Sequence, residues 1–209
     1  MRNTIRKCSY IAAIALTLAG LLLWPAAGTA QLTAPTVTGQ ATAVQATVFG
    51  GLLGTATTTT LAGSGTLSGV NDERDAGQVT GSVPSLLSAE ALNAFTYSYP
   101  DEVDSGASLG NVNLTVAGVG ISADLVMAQA SQVLGAAGSG SSIIDNLSIN
   151  GVPVVVTGDP NQTISIPGGQ VVINEQTISP TGTAVVNALH VTVNGVADVV
   201  IASATAGIS

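Results

Sequence analysis

The sequence predicts an all-β fold, either an antiparallel β-sandwich or a partly closed barrel built from hairpins. In the C-terminal half, short runs of alternating apolar residues are separated by turn residues such as Asp159-Pro160. A hairpin-like unit also recurs along the chain. Only 8% of the residues are charged, so threonine, serine, asparagine and glutamine must form the polar faces of the strands.

Residues 1–30 form a predicted signal peptide. Basic residues near the N-terminus precede an apolar run over residues 11–24, which is shorter than the about 20 residues of a usual membrane span. Small residues follow, and we place the cleavage after Ala30. We therefore expect a protein that is secreted or held in the cell envelope. It would have no membrane span after cleavage and a single β-rich domain over residues 31–209.

Cleavage would remove most of the reactive residue types. Cys8 and Trp24 leave with the signal peptide, and Arg74 remains as the one basic residue against twelve acidic residues. Without cysteine there is no disulfide, thiolate nucleophile or thiolate metal site, and without lysine there is no Schiff base. One arginine cannot neutralise a phosphate backbone, which excludes nucleic acid. We expect no cofactor, and partners only among cell-surface or extracellular components.

The N-terminal part of the domain is rich in threonine, which favours extended structure. Residues 31–70 therefore predict one or two strands, behind a loose N-terminal lead over residues 31–42. A flexible threonine-rich linker is the alternative for that lead.

The next segment, SVPSLLSAEALNAF over residues 82–95, favours at most one short helix near residues 85–95. Ser85 or Ser88 could cap it, and Glu90 would lie in its first turn. A short irregular crossover is the alternative, because the apolar period is brief.

A strictly alternating segment, FTYSY, follows the predicted helix. Phe95, Tyr97 and Tyr99 share one face of the segment, and Thr96 and Ser98 share the other. The favoured interpretation is an aromatic stripe that anchors the core. A face on which a ligand stacks is the alternative.

An internal repeat indicates the hairpins. ADLVMAQA, residues 123–130, matches ADVVIASA, residues 197–204, at five of eight positions, and the preceding LTVAGV and VTVNGV also match. A third copy, LSINGVPVVV at residues 147–156, shares the first strand and the turn. Each unit is two apolar runs around a glycine-containing break, which is typical of a hairpin. The irregular spacing argues against a solenoid.

The one histidine, His190, lies in the third of these hairpins along the chain. The alternation of valines places it on the polar face of its strand. A two-residue Asn-Gly loop would set Asp198 opposite Val191, on the apolar face. A three-residue loop sets Val199 opposite Val191 and makes His190 and Asp198 diagonal neighbours on the polar face. The second register is favoured because it keeps the aspartate off the apolar face.

The sequence predicts no catalytic site. Ser64, Ser139 and Ser141 lie in glycine-rich segments without a specific signal. His190 also lacks the histidine or cysteine companions of a metal site. A hydrolase that uses His190 with Asp198 or Glu175 is kept as a secondary alternative.

Two acidic segments, DERDAG and DEVDSG, share the pattern D-E-x-D-small-G. Calcium takes about six to eight oxygen ligands, and these segments would offer them if they met. We nevertheless expect no metal site, because Arg74 occupies a position where an oxygen ligand is needed and such clusters are usually solvated turns. The calcium candidates are Asp72, Glu73, Asp75, Asp101, Glu102 and Asp104.

The C-terminal half resembles the choice-of-anchor P family over roughly residues 108–208. NLSINGVPVVVTGDPNQTISIPGGQVVINEQ and VVNALHVTVNGVADVVIASATAGI carry the resemblance. Its most distinctive parts are Asn174–Gln176 and Asn187–His190. The resemblance implies a secreted bacterial protein of unknown biochemical function with variable anchoring segments. It supplies no catalytic residue, and marks Asn174, Glu175 and His190 as polar positions of interest.

Members of that family differ in how they are anchored. Here no sorting motif, apolar tail or basic terminus follows Ser209. We therefore expect this chain to be released or held non-covalently.

Three functional hypotheses follow from these observations. The first is a non-enzymatic structural or adhesive protein, which predicts a buried aromatic stripe. The second is a binding module for a glycan or envelope component, which predicts Phe95, Tyr97 and Tyr99 exposed in a groove. The third is the hydrolase, which needs a nucleophile within hydrogen-bond reach of His190.

Overall fold

A computed structural model describes residues 34–50 and 55–209, so the predicted signal peptide lies outside the described residues. Within the described residues there are thirteen β-strands in two antiparallel sheets, and no helix. The sheets lie face to face around one core, which confirms the all-β antiparallel sandwich. None of the described residues forms a helix that could cross a membrane.

The strands, in chain order, are β1 (Val37–Gly50), β2 (Thr55–Thr66), β3 (Glu73–Val83), β4 (Leu87–Ser98), β5 (Glu102–Val116), β6 (Val119–Val133), β7 (Ser139–Asp145), β8 (Ser148–Ile149), β9 (Val152–Pro153), β10 (Gln162–Ile166), β11 (Gly169–Ile178), β12 (Ala184–Val193) and β13 (Ala197–Ile208). Sheet I has the order β10-β11-β12-β13-β1-β2. Sheet II has the order β3-β4-β5-β6-β8-β9, and β7 also pairs with β6.

The core consists of small and branched aliphatic side chains from the inner faces of both sheets. Leu109 and Leu114 of sheet II and Leu189 and Ile201 of sheet I are among its largest buried side chains. Alanines fill much of the inner face of β1 and β13. Because alanine is small, Cα atoms of β13 approach those of β5 and β6 within 8 Å, closer than the about 10 Å typical of packed sheets.

The short helix expected near residues 85–95 is not formed. Pro84 and Ser85 lie in a turn, with Ser85 at φ 61°, and Leu87–Ser98 forms strand β4 between β3 and β5. The brief helical period was too weak to compete with pairing on both edges of the strand, where each residue gains ladder hydrogen bonds and a buried inner face.

The prediction of a loose N-terminal lead over residues 31–42 is also wrong for residues 37–42, which form part of a strand. Residues 37–42 belong to β1, and Val37 lies opposite Ile208 of β13. The N–H of Thr36 donates to the carbonyl of Ser209 at 2.8 Å. Local composition could not reveal this pairing, because the partner strand is at the other end of the chain.

The three repeated units form the predicted hairpins. The β5–β6 hairpin turns at Ala117-Gly118, with φ of 48° and 78°, and β8–β9 turns at Asn150-Gly151, with φ of 52° and 75°. These left-handed pairs are the conformation of a two-residue type I′ turn. The β12–β13 hairpin has the favoured three-residue loop, because Val193 pairs with Ala197.

Along the strands of sheet I, inward-facing and outward-facing residues alternate, and this alternation is reversed at a row of residues that crosses the sheet. At this row, each of the five strands β2, β1, β13, β12 and β11 has two consecutive residues that face inward. The pairs on either side of the row place its members level with one another across the sheet. Three of them have φ between 45° and 54°. The row, from β2 to β11, is Ala62, Ala43, Ala202, Ala188 and Asn174.

Sheet II has the opposite arrangement, with two consecutive residues facing outward. The pairs Glu90-Ala91 on β4, Gly110-Asn111 on β5 and Asp124-Leu125 on β6 are all outside the core. Ala91 has φ of 49° and Asn111 has φ of 48°. On either side of this reversal, the alternation of inward and outward residues is therefore shifted by one position in each strand.

The reversal makes the two repeated octets face differently. In β6, Leu125 and Met127 point away from the core, whereas the equivalent Val199 and Ile201 of β13 are fully buried. Two similar sequences, one in each sheet, thus direct the side chains of their middle positions to opposite sides, outward in β6 and into the core in β13.

Candidate ligand-binding face

The aromatic residues of β4 lie on the outer face of sheet II. Thr96 is 0% exposed and Ser98 is 3% exposed, so these hydroxyl residues point into the core. Phe95 and Tyr97 are partly exposed, and Tyr99 is 52% exposed. The expectation that the rings anchor the core is therefore wrong, and the alternative of an outward aromatic face is the arrangement observed.

Partners for the buried hydroxyls explain this orientation. The Ser105 hydroxyl donates to the carbonyl of Thr205 at 2.6 Å, across the sandwich. Thr96 Oγ1 lies 2.6 Å from Ser105 Oγ and therefore acts as the donor in that pair. Ser98 Oγ donates to the carbonyl of Gly69 at 2.7 Å. Because every hydroxyl has a partner, burial of this face costs little.

The three rings form a continuous row along β4 and the residue that follows it, Tyr99. The Phe95 and Tyr97 ring centroids are 5.8 Å apart with planes 13° from parallel, and those of Tyr97 and Tyr99 are 5.6 Å apart at 69°. A glycine on the neighbouring strand makes room for the first ring: a Cβ on Gly106 would lie 2.6 Å from the Phe95 ring. The Phe95 ring thus covers the β5 backbone at this glycine.

A cleft of about 310 Å³ lies beside Phe95 and Tyr97. It runs across strands β5, β6 and β7, which present amide and hydroxyl side chains to it. Across the sheet from β4 to β7, Phe95 lies in line with Gly106, Gln129 and Ser141. Tyr97 lies in line with Asp104, Ser131 and Ser139.

Carboxylates flank the aromatic row on both sides. Glu73 of β3 and Asp104 of β5 lie opposite Tyr97, and Asp75 lies opposite Phe95. Burial raises the pKa of Tyr97, and the charges of Asp104, Glu102 and Glu73 raise it further because they oppose formation of a tyrosinate. The negative field of the flanking strands therefore reaches the aromatic ring.

The calcium candidates are brought to this end of sheet II but do not converge. Glu73 and Asp104 are separated by strand β4, with Tyr97 between them. Asp72 accepts from the backbone and hydroxyl of Ser68, both at 2.8 Å. No group of three or more acidic or histidine residues in the described part of the chain is placed to hold a metal ion.

Asp72 instead closes the turn before β3. Its pKa is lowered to about 2, chiefly by the hydrogen bonds from Ser68 and also by the guanidinium of Arg74, which lies 3.1 Å away. The arginine thus pairs with the aspartate in the turn and makes no ion pair with the carboxylates beside the rings.

The register predicted for His190 is confirmed. Val191 lies opposite Val199, and Thr192 lies opposite Asp198. His190 is on the outer face of sheet I, with Nδ1 2.9 Å from Glu175 Oε2 and Nε2 3.2 Å from Asp198 Oδ1.

The histidine cluster joins three strands through its side chains. Asn187 Nδ2 donates to Glu175 Oε2 at 2.6 Å, and Thr192 Oγ1 lies 3.4 Å from His190 Nε2. Both ring nitrogens of His190 thus face a carboxylate, whereas a general base needs one nitrogen directed at a nucleophile. No serine of the described residues makes a hydrogen bond to His190. The arrangement favours a cross-strand link over hydrolysis.

The remaining position of interest, Asn174, has a structural environment. It is 3% exposed and lies in the reversal row of sheet I with φ of 52°. Its Nδ2 donates to the carbonyl of Gly158 at 3.0 Å, and its Oδ1 accepts from Gln176 Nε2 at 2.8 Å. These bonds hold the segment before β10 against β11.

Comparison with known proteins identifies no relative. No protein-family model matches the chain, and neither the curated proteins nor the solved structures contain a significant match. Inference about function therefore depends on the geometry of the two outer faces.

Proposed function

We propose that this chain is a non-enzymatic binding module, secreted or held in the cell envelope, that binds a glycan on the aromatic face of sheet II. The observation that carries this proposal is the exposure of Phe95, Tyr97 and Tyr99 in one row beside a polar cleft. A core role for the rings would have required them to be buried. The predicted signal peptide and the resemblance to the choice-of-anchor P family support the proposed location.

Sugar rings have apolar C–H faces and a rim of hydroxyl groups, so a glycan site needs flat apolar surfaces next to donors and acceptors. The aromatic row provides the first, because each ring combines a large apolar surface with a fixed geometry. The cleft provides the second through Gln129, Ser131 and Asp104. A few polar groups beside an apolar surface are the usual composition of a small-ligand site.

The proposal is tested with the mature protein on insoluble polysaccharides and by calorimetric titration with soluble oligosaccharides. Tyr97→Ala should weaken binding by about tenfold or more, since stacking of one aromatic residue contributes roughly this much. The matched control is Phe49→Ala. Phe49 is also an exposed aromatic residue, 42% accessible, but it lies on β1 of sheet I.

Retention of binding in Phe49→Ala together with its loss in Tyr97→Ala would support the aromatic face as the site. If no glycan binds, or if both variants bind as the unchanged protein does, the proposal is wrong. Circular dichroism of each variant establishes that the fold is retained.

A further inference from the structure

The carboxylates around the aromatic row have no basic partner in the described structure. Arg74 is the one lysine or arginine among the described residues, and its guanidinium bonds Asp72. Glu73, Asp75 and Asp104 therefore stand beside the rings without an ion pair. These carboxylates lie on β3 and β5, on either side of strand β4, and give that part of the face a negative charge.

An aromatic face between carboxylates has a definite ligand preference. The ring faces carry negative electrostatic potential, and a cation above a ring is attracted to it. A flanking carboxylate adds a charge-assisted hydrogen bond to an ammonium group. The same field repels anionic ligands. Burial raises the pKa of Tyr97 most, and the charge of Asp104 raises it further because this carboxylate lies close to the ring.

We propose that the ligand of this face is an amine-bearing glycan, a polymer of glucosamine units with free, protonated amino groups. This inference rests on the function proposed above and specifies the chemistry of the ligand. The apolar side of a sugar lies on an aromatic ring, and its ammonium group lies between Asp104 and Glu73 on either side of Tyr97.

The length of the row favours a polymer over a single sugar. The ring centroids from Phe95 to Tyr97 and from Tyr97 to Tyr99 are 5.8 Å and 5.6 Å apart, so the row extends over about 11 Å. That length exceeds one sugar ring, and carboxylates flank it at more than one level, at Asp75 and at Glu73. Successive amino groups of a chain can therefore be bound together.

The test compares three pentamers by calorimetric titration: glucosamine, N-acetylglucosamine and glucose. Measurements at about pH 5.5 keep ordinary carboxylates ionised. We expect the glucosamine pentamer to bind at least about tenfold more tightly than the other two, and salt to weaken it as charges are screened. Asp104→Asn should reduce its affinity by about tenfold, as for loss of a charge-assisted hydrogen bond.

Two controls separate local charge from net charge. Asp159→Asn removes the same charge from an exposed segment before β10 and should leave the affinity unchanged. Spermine, a polyamine without sugar rings, should bind far more weakly than the glucosamine pentamer and should be insensitive to Tyr97→Ala.

The outcomes distinguish this inference from the function on which it rests. Equal binding of all three pentamers, with sensitivity to Tyr97→Ala but not to Asp104→Asn, would overturn the amine preference and leave a glycan-binding face. Spermine binding as tight as that of the glucosamine pentamer would also overturn it, in favour of general polycation binding. Failure of every pentamer to bind would reject both proposals.

Discussion

The outer faces of the two sheets carry similar polar residues in different states of pairing. On sheet I, Glu175 and Asp198 hold the two nitrogens of His190, and Asn187 donates to the same glutamate. On sheet II, Glu73 and Asp104 flank Tyr97 without a basic partner among the described residues. The first face uses its charges internally, whereas the second leaves its charges and its rings open to solvent.

This difference teaches how to separate structural from functional polar clusters in a chain with few charges. Side chains that bind one another across strands stabilise the sheet and leave little capacity for a ligand. Unpaired carboxylates beside exposed rings make no such cross-strand links, and under the proposed function they are available to a ligand. The four predictions below test this contrast, in order of decreasing effect.

The largest effect on ligand affinity is expected from filling the space under the Phe95 ring. In Gly106→Ala, the new Cβ would lie 2.6 Å from that ring and displace it. We expect glycan affinity to fall by about tenfold or more as the row is disrupted. Gly77→Ala is the control, because a Cβ there meets only the Leu92 carbonyl oxygen, at 3.8 Å. Titration of both variants measures the difference, and equal affinities would refute a role for the ring geometry.

The largest effect on stability is expected at the buried hydroxyl pair that orients β4. Ser105→Ala leaves the Thr205 carbonyl and the Thr96 hydroxyl without their partner, and each unsatisfied buried group is costly. We expect the free energy of unfolding to fall by about 2 kcal/mol in urea denaturation. The double variant Thr96→Val with Ser105→Ala should recover part of this loss. A cost below that of a surface substitution would show that the pair does not orient the strand.

His190→Ala should have a smaller effect on stability and none on the ligand. Loss of the links to Glu175 and Asp198 should reduce the free energy of unfolding by about 1 kcal/mol, as for a partly exposed polar contact. Glycan affinity should be unchanged, because the cluster lies on sheet I. A reduced affinity in this variant would contradict the division of roles between the two faces.

The smallest effect concerns the titration of Tyr97 at alkaline pH. Because its pKa is raised in the folded protein, the unfolded state loses this proton first. The contribution of Tyr97 to stability is therefore fully present below about pH 10, the ordinary tyrosine pKa, and falls as pH rises towards the folded pKa. Absorbance at about 295 nm should show late tyrosinate formation, and Tyr97→Phe should abolish this phase. A single phase at the ordinary tyrosine pKa would show that neither burial nor the flanking carboxylates act on the ring.

Much of the fold could be predicted from local patterns. The apolar alternation and the repeated Gly-containing breaks predicted the hairpins, and keeping Asp198 off the apolar face selected the correct loop at His190. These features depend on residues close together in the sequence. The face of β4 that points inward does not depend on nearby residues alone. The partners that permit burial of Thr96 and Ser98 include the Thr205 and Gly69 carbonyls, which are distant along the chain.

The aromatic face was therefore placed wrongly for an identifiable reason. Considered alone, FTYSY has one face of rings and one of small hydroxyl residues, and burial of rings gains more apolar area. The signals for the observed orientation were the acidic residues of the adjacent strands and Gly106, which meet the rings only once the register of β3, β4 and β5 is known. Without that register, the two acidic segments are interpreted as solvated turns, with a shared calcium site as the alternative.

The reversal of alternation has a consequence for how the repeated octets encode their structure. Both octets are apolar at their third, fourth and fifth positions, Leu-Val-Met in β6 and Val-Val-Ile in β13. Such a triplet can face the core in two ways, because either its two outer members or its central member can be buried without placing a charge in the core. The paired strands on either side determine which of these occurs, because the reversal of alternation continues from strand to strand across each sheet. The same octet sequence is thus compatible with two orientations, and its neighbouring strands determine which orientation it adopts.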